Sequence, residues 1–231
     1  MPEYRAVFFD LDHTLWDYER NAFEALSDLY REYTIGGKIQ APVNDFFNAF
    51  SKINHSLWDQ YDSGKITRQV IRDERFQLVL AEFGVSDSVL ATELSEKYLT
   101  TAPKKSNLIA GAQEILNYLS GSYKLYIITN GFQEIQHTKL KSGQIDHYFD
   151  EVFISDAVGH KKPSKEIFEH VLNKHSLNKT ESIMIGDNLL TDIAGAINTG
   201  IDSVFYNPGK LIHEVPVTYE ISHLSALKEI L

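Results

Sequence analysis

Asp10 and Asp12 stand two residues apart, directly after the apolar run Ala6-Val7-Phe8-Phe9, with Thr14 two residues further on. Four consecutive apolar residues predict a buried strand. Unpaired charge is costly to bury, so that strand should end where its carboxylates appear. The pair would then occupy the carboxyl end of a central strand, the edge at which open α/β sheets bind ligands. If the chain stays extended there, both side chains lie on one side. Two carboxylates at close range repel, and each favours a cation or a proton. One would serve as nucleophile and metal ligand while the other handles protons. A strand end followed by a polar turn and a helix cap would place the same residues there without chemistry.

Three further apolar runs lead into distinctive polar groups. Lys124 to Ile128 runs into Thr129-Asn130-Gly131. There a hydroxyl, an amide and a glycine open a helix whose free N–H groups favour an anion, or simply cap it. Phe153-Ile154 leads to Lys161-Lys162-Pro163. A residue before proline is biased to extended backbone, which sets Lys162 just before a helix near Ser164, placed to neutralise phosphate charge. A solvated lysine is the plainer alternative, and Lys161 is the natural surface member of the pair. Ile183-Met184-Ile185 leads to Gly186-Asp187-Asn188, with Asp192 five positions after Asp187. Asp187 would face Asp10 if their strands are neighbours, and carboxylates with waters are the usual magnesium environment. Asp192 would orient a lysine or a metal-bound water, or face solvent in the first turns of a helix.

The elements that position these groups read as an α/β protein. Strand-like runs at 124–128, 151–154, 182–185 and 202–206 alternate with helical patterns at 111–119, 133–140, 165–175 and 189–198. That alternation predicts a parallel sheet with helices on both faces. Tyr219 to Ile221 would add an edge strand, and Leu224 to Leu231 a short C-terminal helix. The stretch between the first strand and residue 102 differs. Its runs at 19–33, 43–61, 67–83 and 88–99 have apolar residues at helical spacing, separated by breakers at Gly36-Gly37, Pro42, Ser63-Gly64, Gly84 and Pro103. We read 16–103 as an all-helical module inserted into a core made of 1–15 and 104–231. Its aromatics are read mainly as helix packing.

The formal net charge of −10 argues against nucleic-acid polymers and anionic membranes, which require a basic field. It leaves room for a small anionic substrate held by local cations. The absence of cysteine excludes disulfides, thiolate catalysis and cysteine metal sites. Met1-Pro2-Glu3-Tyr4-Arg5 lacks the features of a signal peptide, and no run is apolar and long enough to span a bilayer. The expectation is a soluble cytoplasmic protein, a monomer or weak homodimer.

In order along the chain, Asp-x-Asp-x-Thr, Thr-Asn-Gly, Lys-Pro and Gly-Asp-x-x-x-x-Asp resemble the four motifs of haloacid-dehalogenase (HAD) superfamily phosphohydrolases with a helical cap after the first motif. The resemblance covers essentially the whole chain. It implies a Rossmann-like core and a phosphate monoester as substrate. Asp10 would attack phosphorus and form an aspartyl-phosphate. Mg2+ would be held by Asp10, Asp187 and the backbone carbonyl of Asp12. Asp12 would protonate the leaving oxygen and then take a proton from water. Thr129, N–H groups near Asn130, and Lys162 would hold the phosphate oxygens, with Asp192 and Asn188 in support.

His13 stands where most members have glycine or aspartate, and is read as a packing or hydrogen-bonding choice rather than a further acid/base. A halide leaving group needs no proton, so the acid at Asp12 favours phosphate over carbon–halogen chemistry. A phosphomutase would keep all four motifs; Arg68, Arg72 and Arg75 would supply its second phosphate contact, or form the exposed face of a helix. The stretches Asp10 to Asp17 and Ile128 to Phe132 are similar to a group of noncanonical pyrimidine 5′-nucleotidases. That implies action on substrates such as dUMP or dTMP, with Trp16, Tyr18 or Trp58 stacking on the base and Arg72 near the substrate. Related capped phosphatases act on phosphoglycolate, sugar phosphates or flavin mononucleotide. A phosphate-binding regulatory protein of the same fold is the non-enzymatic alternative. The cap would open and close on hinges near 15–17 and 102–107.

Overall fold

The computed structural model describes residues 4–231. In chain order the elements are β1 (Ala6–Phe9), five helices α1 (Tyr18–Glu32), α2 (Ile35–Ile39), α3 (Val43–Asp62), α4 (Arg68–Ala81) and α5 (Ser88–Thr101), and then α6 (Ala112–Leu119), β2 (Lys124–Thr129), α7 (Gln133–Ser142), β3 (Glu151–Ile154), α8 (Ser155–Val158), α9 (Lys165–Lys174), β4 (Ser182–Gly186), α10 (Ala194–Thr199), β5 (Asp202–Tyr206) and β6 (Tyr219–Ile221). The chain divides into two compact units, one built from the residues through Tyr18 together with Ser106–Leu231, the other from Glu19–Lys105.

The six strands form one sheet in the order β3-β2-β1-β4-β5-β6, with every pair parallel. Both faces are buried, as parallel sheets require, and the alternation of the strands shows why their sequences are continuously apolar. Val7, Phe9, Leu125, Ile127, Ile183, Ile185 and Val204 pack with Ile115, Leu116 and Leu119 of α6 and with Leu224 and Leu227. Their alternate neighbours Ala6, Phe8, Tyr126, Ile128 and Met184 pack with Ile167, Phe168 and Val171 of α9 and with Ala196 of α10. Each polar strand end is thereby delivered to the same carboxyl edge, with β1 at the centre.

Two expected helices take other forms. Over 189–198 the chain makes a π-helical turn at Leu189–Ile193 before α10, with both Asp192 and Ile193 donating backbone N–H to the Asn188 carbonyl. The C-terminal segment winds as 3₁₀ turns over Leu224–Glu229.

The 19–105 unit is helical throughout. Its core joins Leu26 and Leu29 of α1, Phe46, Phe50 and Leu57 of α3, Ile71, Phe76 and Val79 of α4, and Leu94 and Tyr98 of α5. Gly36-Gly37, which reads as a breaker, lies inside the short α2, flanked by Thr34 and Gln40 in the left-handed region. Arg75 corrects both readings of the arginine row. It is buried, donates to the side-chain oxygen of Asn54 at 3.0 Å, and is stacked within 5.6 Å of the ring centres of Phe50, Phe76 and Tyr98. The aromatic π-faces take the place of an anionic partner. No helix among the described residues is long and apolar enough to cross a membrane.

Phe50 touches Phe76, Tyr98 and Arg75 at once. Phe50→Ala should therefore cost about 3–5 kcal/mol of stability, read as a lower urea midpoint; a loss below about 1 kcal/mol would show that this cluster does not organise the helical unit.

Candidate active site

Beyond β1 and β4, one buried ammonium meets a group of three carboxylates. Lys162 is only 2% exposed. Its Nζ donates to Asp10 Oδ1 at 2.5 Å and meets Asp192 Oδ1 at 2.7 Å. One ammonium so placed must be paired, because an isolated buried charge is prohibitive.

Its backbone is fixed as firmly as its head. The Asn130 side-chain amide donates to the Lys162 carbonyl at 3.0 Å, and the Asn130 oxygen accepts from the Lys162 N–H at 2.9 Å. Both ends of the Asn130 side-chain amide are thus used on the Lys162 backbone. The neighbouring Lys161 is half-buried.

Asp192 reaches Lys162 from the π-helical turn. One of its oxygens also accepts from the Thr191 hydroxyl, and the other from the Asn188 N–H. A Cβ on Gly186 would overlap the Asp192 carboxylate, so the glycine of Gly-Asp is required by this close approach. The Asn188 side chain accepts from the N–H groups of Leu190 and Thr191, a capping role that opens the turn.

Strands β1 and β4 are neighbours in register, and oxygens of Asp10, Asp187 and Asp192 lie within 4.8 Å of one another. The buried Thr14 hydroxyl donates to Asp187 at 3.1 Å. Burial pushes the Asp187 carboxyl up to about 7, reinforced by the Asp192 charge and opposed by Thr14. Asp10 is likewise raised well above the usual carboxylate range by burial, with Lys162 pulling it down and Asp192 and Asp187 pushing it up. Burial works against the Lys162 ammonium, but the two flanking carboxylates hold its pKa above the ordinary lysine range.

Three acids against one ammonium leave a surplus of negative charge that a hard divalent cation would neutralise. An all-oxygen donor set at this spacing suits Mg2+. Asp192 is already engaged by Lys162, Thr191 and Asn188, so Asp10 and Asp187 are the better-placed side-chain ligands.

Asp12 lies apart from this cluster. The strand stops at Phe9 and the chain turns through His13, whose φ of 64° is left-handed. Histidine tolerates that region better than most side chains. The His13 ring tilts against Tyr18 at 4.8 Å. Both Asp12 oxygens accept from Lys139 Nζ, at 2.6 and 2.7 Å, and Oδ2 accepts from Gln136 Nε2 at 3.2 Å. The same Gln136 nitrogen donates to Thr129 Oγ1 at 2.7 Å, which also accepts from the Gly131 N–H. The Thr129 hydroxyl hydrogen is thereby left as its donor.

Sequence reasoning places Gln136 and Lys139 on a helix but gives them no role. Their signal is a pair of polar residues three apart, sharing the buried side of α7 with Leu140.

Among the expected substrate contacts, Trp16 is corrected. It is 1% exposed and packed in the core of the α/β unit, so its ring has no free face for a base. Tyr18 is half-buried, against His13 and Trp16. Trp58 and Arg72 lie half-buried in the helical unit, Trp58 edge-on to Tyr61.

Residues 7–206 match the family model for haloacid dehalogenase-like hydrolases. The chain belongs to that family. It is 32% identical to YfnB of Bacillus subtilis, over 100% of this chain and 97% of that protein. A crystal structure of YfnB bound to magnesium superposes with a TM-score of 0.89 at 30% identity, covering 99% of this chain and 98% of that one. The pyrimidine 5′-nucleotidase PynA of Streptococcus pneumoniae is 31% identical over 94% of this chain and 91% of its own length. The pyrimidine 5′-nucleotidase YjjG of Escherichia coli is 28% identical over 97% and 96%.

The crowded carboxylates have a measurable consequence. An Asp187 carboxyl in an unfolded chain ionises near 3.8, whereas in the folded, metal-free protein it keeps its proton to about 7. The folded state then binds more protons than the unfolded state across that window, so stability falls as pH rises through it. Urea midpoints measured in EDTA should decline between about pH 5 and about pH 7.5, and Asp187→Asn should flatten the decline. An equal slope in the variant would place the titration elsewhere.

Proposed function

We propose that this hydrolase is a Mg2+-dependent phosphate monoester hydrolase working through an aspartyl-phosphate, with nucleoside 5′-monophosphates of pyrimidines as preferred substrates. The observation that carries the chemistry is the buried Lys162 held between Asp10 and Asp192. It fixes a carboxylate beside a cation at the ligand-binding edge of the sheet. The substrate class rests on the near full-length similarity to PynA and YjjG.

In this reading a carboxylate oxygen of Asp10 attacks phosphorus, an Asp10–phosphorus bond forms, and the ester P–O bond breaks. Asp12 gives its proton to the departing oxygen, releasing the alcohol. Water then attacks the aspartyl-phosphate, Asp12 takes the water's proton, and inorganic phosphate leaves with Asp10 restored. Lys162 and the Thr129 hydroxyl hold the phosphoryl oxygens throughout, supplying the charge neutralisation that dominates phosphoryl transfer. Asp10, Asp187 and the backbone carbonyl of Asp12 would hold Mg2+, which would supply shielding of the phosphate charge from the attacking carboxylate. The 19–105 unit is the cap in this reading, and Tyr18 and Trp58 are the candidates for contact with the base.

The decisive experiment is phosphate release with Mg2+ from dUMP, dTMP, UMP, purine nucleotides, phosphoglycolate, sugar phosphates and flavin mononucleotide. Preference for the pyrimidine monophosphates is expected; preference for another member of the panel would overturn the substrate class. Asp10→Asn should lower turnover by about 10⁴-fold or more while the melting temperature stays near that of the wild type. Substantial residual turnover would remove Asp10 from the nucleophile role. Lys162→Met should abolish activity as well, and should destabilise the fold because it strips Asp10 and Asp192 of their buried partner.

A further inference from the structure

Lys139 is the second buried lysine of the catalytic edge, and neither the four motifs nor the reaction steps above use it. It is 4% exposed. Its ammonium grips both oxygens of Asp12 and lies 4.7 Å from the ring centre of Trp16 and 5.8 Å from that of Tyr18. The two rings add cation–π contacts to the ion pair. This explains why Trp16 is buried: its ring forms part of the seat of Lys139.

Gln136, fully buried, adds a second grip. Its amide nitrogen bridges Asp12 and Thr129, while its own carbonyl oxygen is buried without a hydrogen-bond partner. A buried amide that forgoes one bond to keep two others is placed for those two. A Cβ at residue 131 would collide with this amide, so the glycine of Thr-Asn-Gly clears the path by which Gln136 reaches back. Asp12 remains partly open to solvent between these donors, its side chain 22% exposed.

We propose that Lys139 and Gln136 are the positioning residues of Asp12, and that they set the rate at which leaving groups needing a proton depart. The inference rests on the proton-transfer role given to Asp12 under Proposed function. When Asp12 gives up its proton, negative charge appears on its carboxylate, and the Lys139 ammonium already lies where that charge develops. A preorganised cation at such a point stabilises the transition state without reorganising. An ester whose leaving group departs as a stable anion asks for no proton and gains little from the pair.

The test compares kcat/KM, which reports steps through leaving-group departure, for dUMP and for p-nitrophenyl phosphate. In Lys139→Met, kcat/KM for dUMP should fall by about 10²-fold and for p-nitrophenyl phosphate by less than about threefold. Lys139→Arg should recover part of the dUMP rate, since a guanidinium can also grip both oxygens. Gln136→Met should show the same discrimination to a smaller extent, and decides the question if Lys139→Met does not fold. Asp12→Asn is the reference and should discriminate most strongly. If Asp12→Asn discriminates and neither the lysine nor the glutamine variant does, or if both substrates fall equally in those variants, the positioning role is overturned while the reaction stands. If Asp12→Asn itself treats the two substrates alike, the assignment of Asp12 fails, and this inference with it.

Discussion

A lysine ammonium with almost no access to water must have acid partners, and much of the α/β unit is arranged to give Lys162 two of them. Asp10 arrives at the end of β1 and Asp192 from the widened turn after β4. Asn130, beyond β2, holds the lysine backbone on both its N–H and its carbonyl. Each of these contacts joins residues from separate strand–helix units. The parallel register of the sheet brings them to one edge, and the pairing requirement of a single buried charge fixes their geometry. The Lys162–Pro163 peptide is cis.

The two aspartates of the first motif show how neighbours in sequence acquire different chemistry. Asp10 sits in a crowd of acids, where burial and like charge oppose ionisation and one lysine favours it. Asp12, two residues later, faces a lysine and an amide. Paired carboxylates whose surroundings differ in this way are the usual basis for dividing nucleophilic and proton-transfer roles. The surplus charge around Asp10 would also suit a divalent cation.

The sheet is legible in the sequence because β1 to β5 centre on apolar runs closed by polar residues. Asp10 and Asp187 are legible for a related reason. Charge that closes a buried run marks the sheet edge, where it can be paired or solvated. Other features lie beyond sequence spacing. Alternation cannot reveal that Asp10 and Asp12, two residues apart, take different lysines as partners. A Thr-Asn-Gly cap and a phosphate cradle look alike in sequence, and only the fold shows Asn130 turned toward Lys162. Trp16 and Arg75 read as surface contacts because aromatic and basic residues often are; in the fold each belongs to a cation–aromatic cluster in the interior. Such pairings join distant segments and leave no periodic trace.

The connectivity has a consequence for the order in which the molecule comes into being. The central strand β1 is among the first segments made, yet its hydrogen-bonded neighbours are β2 and β4, and Asp10 and Lys162 are separated by 152 positions. Contacts within 19–105 close over short loops, so that unit can assemble while the rest of the chain is still being synthesised. The sheet must wait, with an apolar strand unpaired, until the segments that flank it have emerged. The charged edge is therefore among the last features to form, and a chain broken off before β4 would hold Asp10 and Lys162 without Asp187 and Asp192. Completeness of the polypeptide is in this sense built into its chemistry.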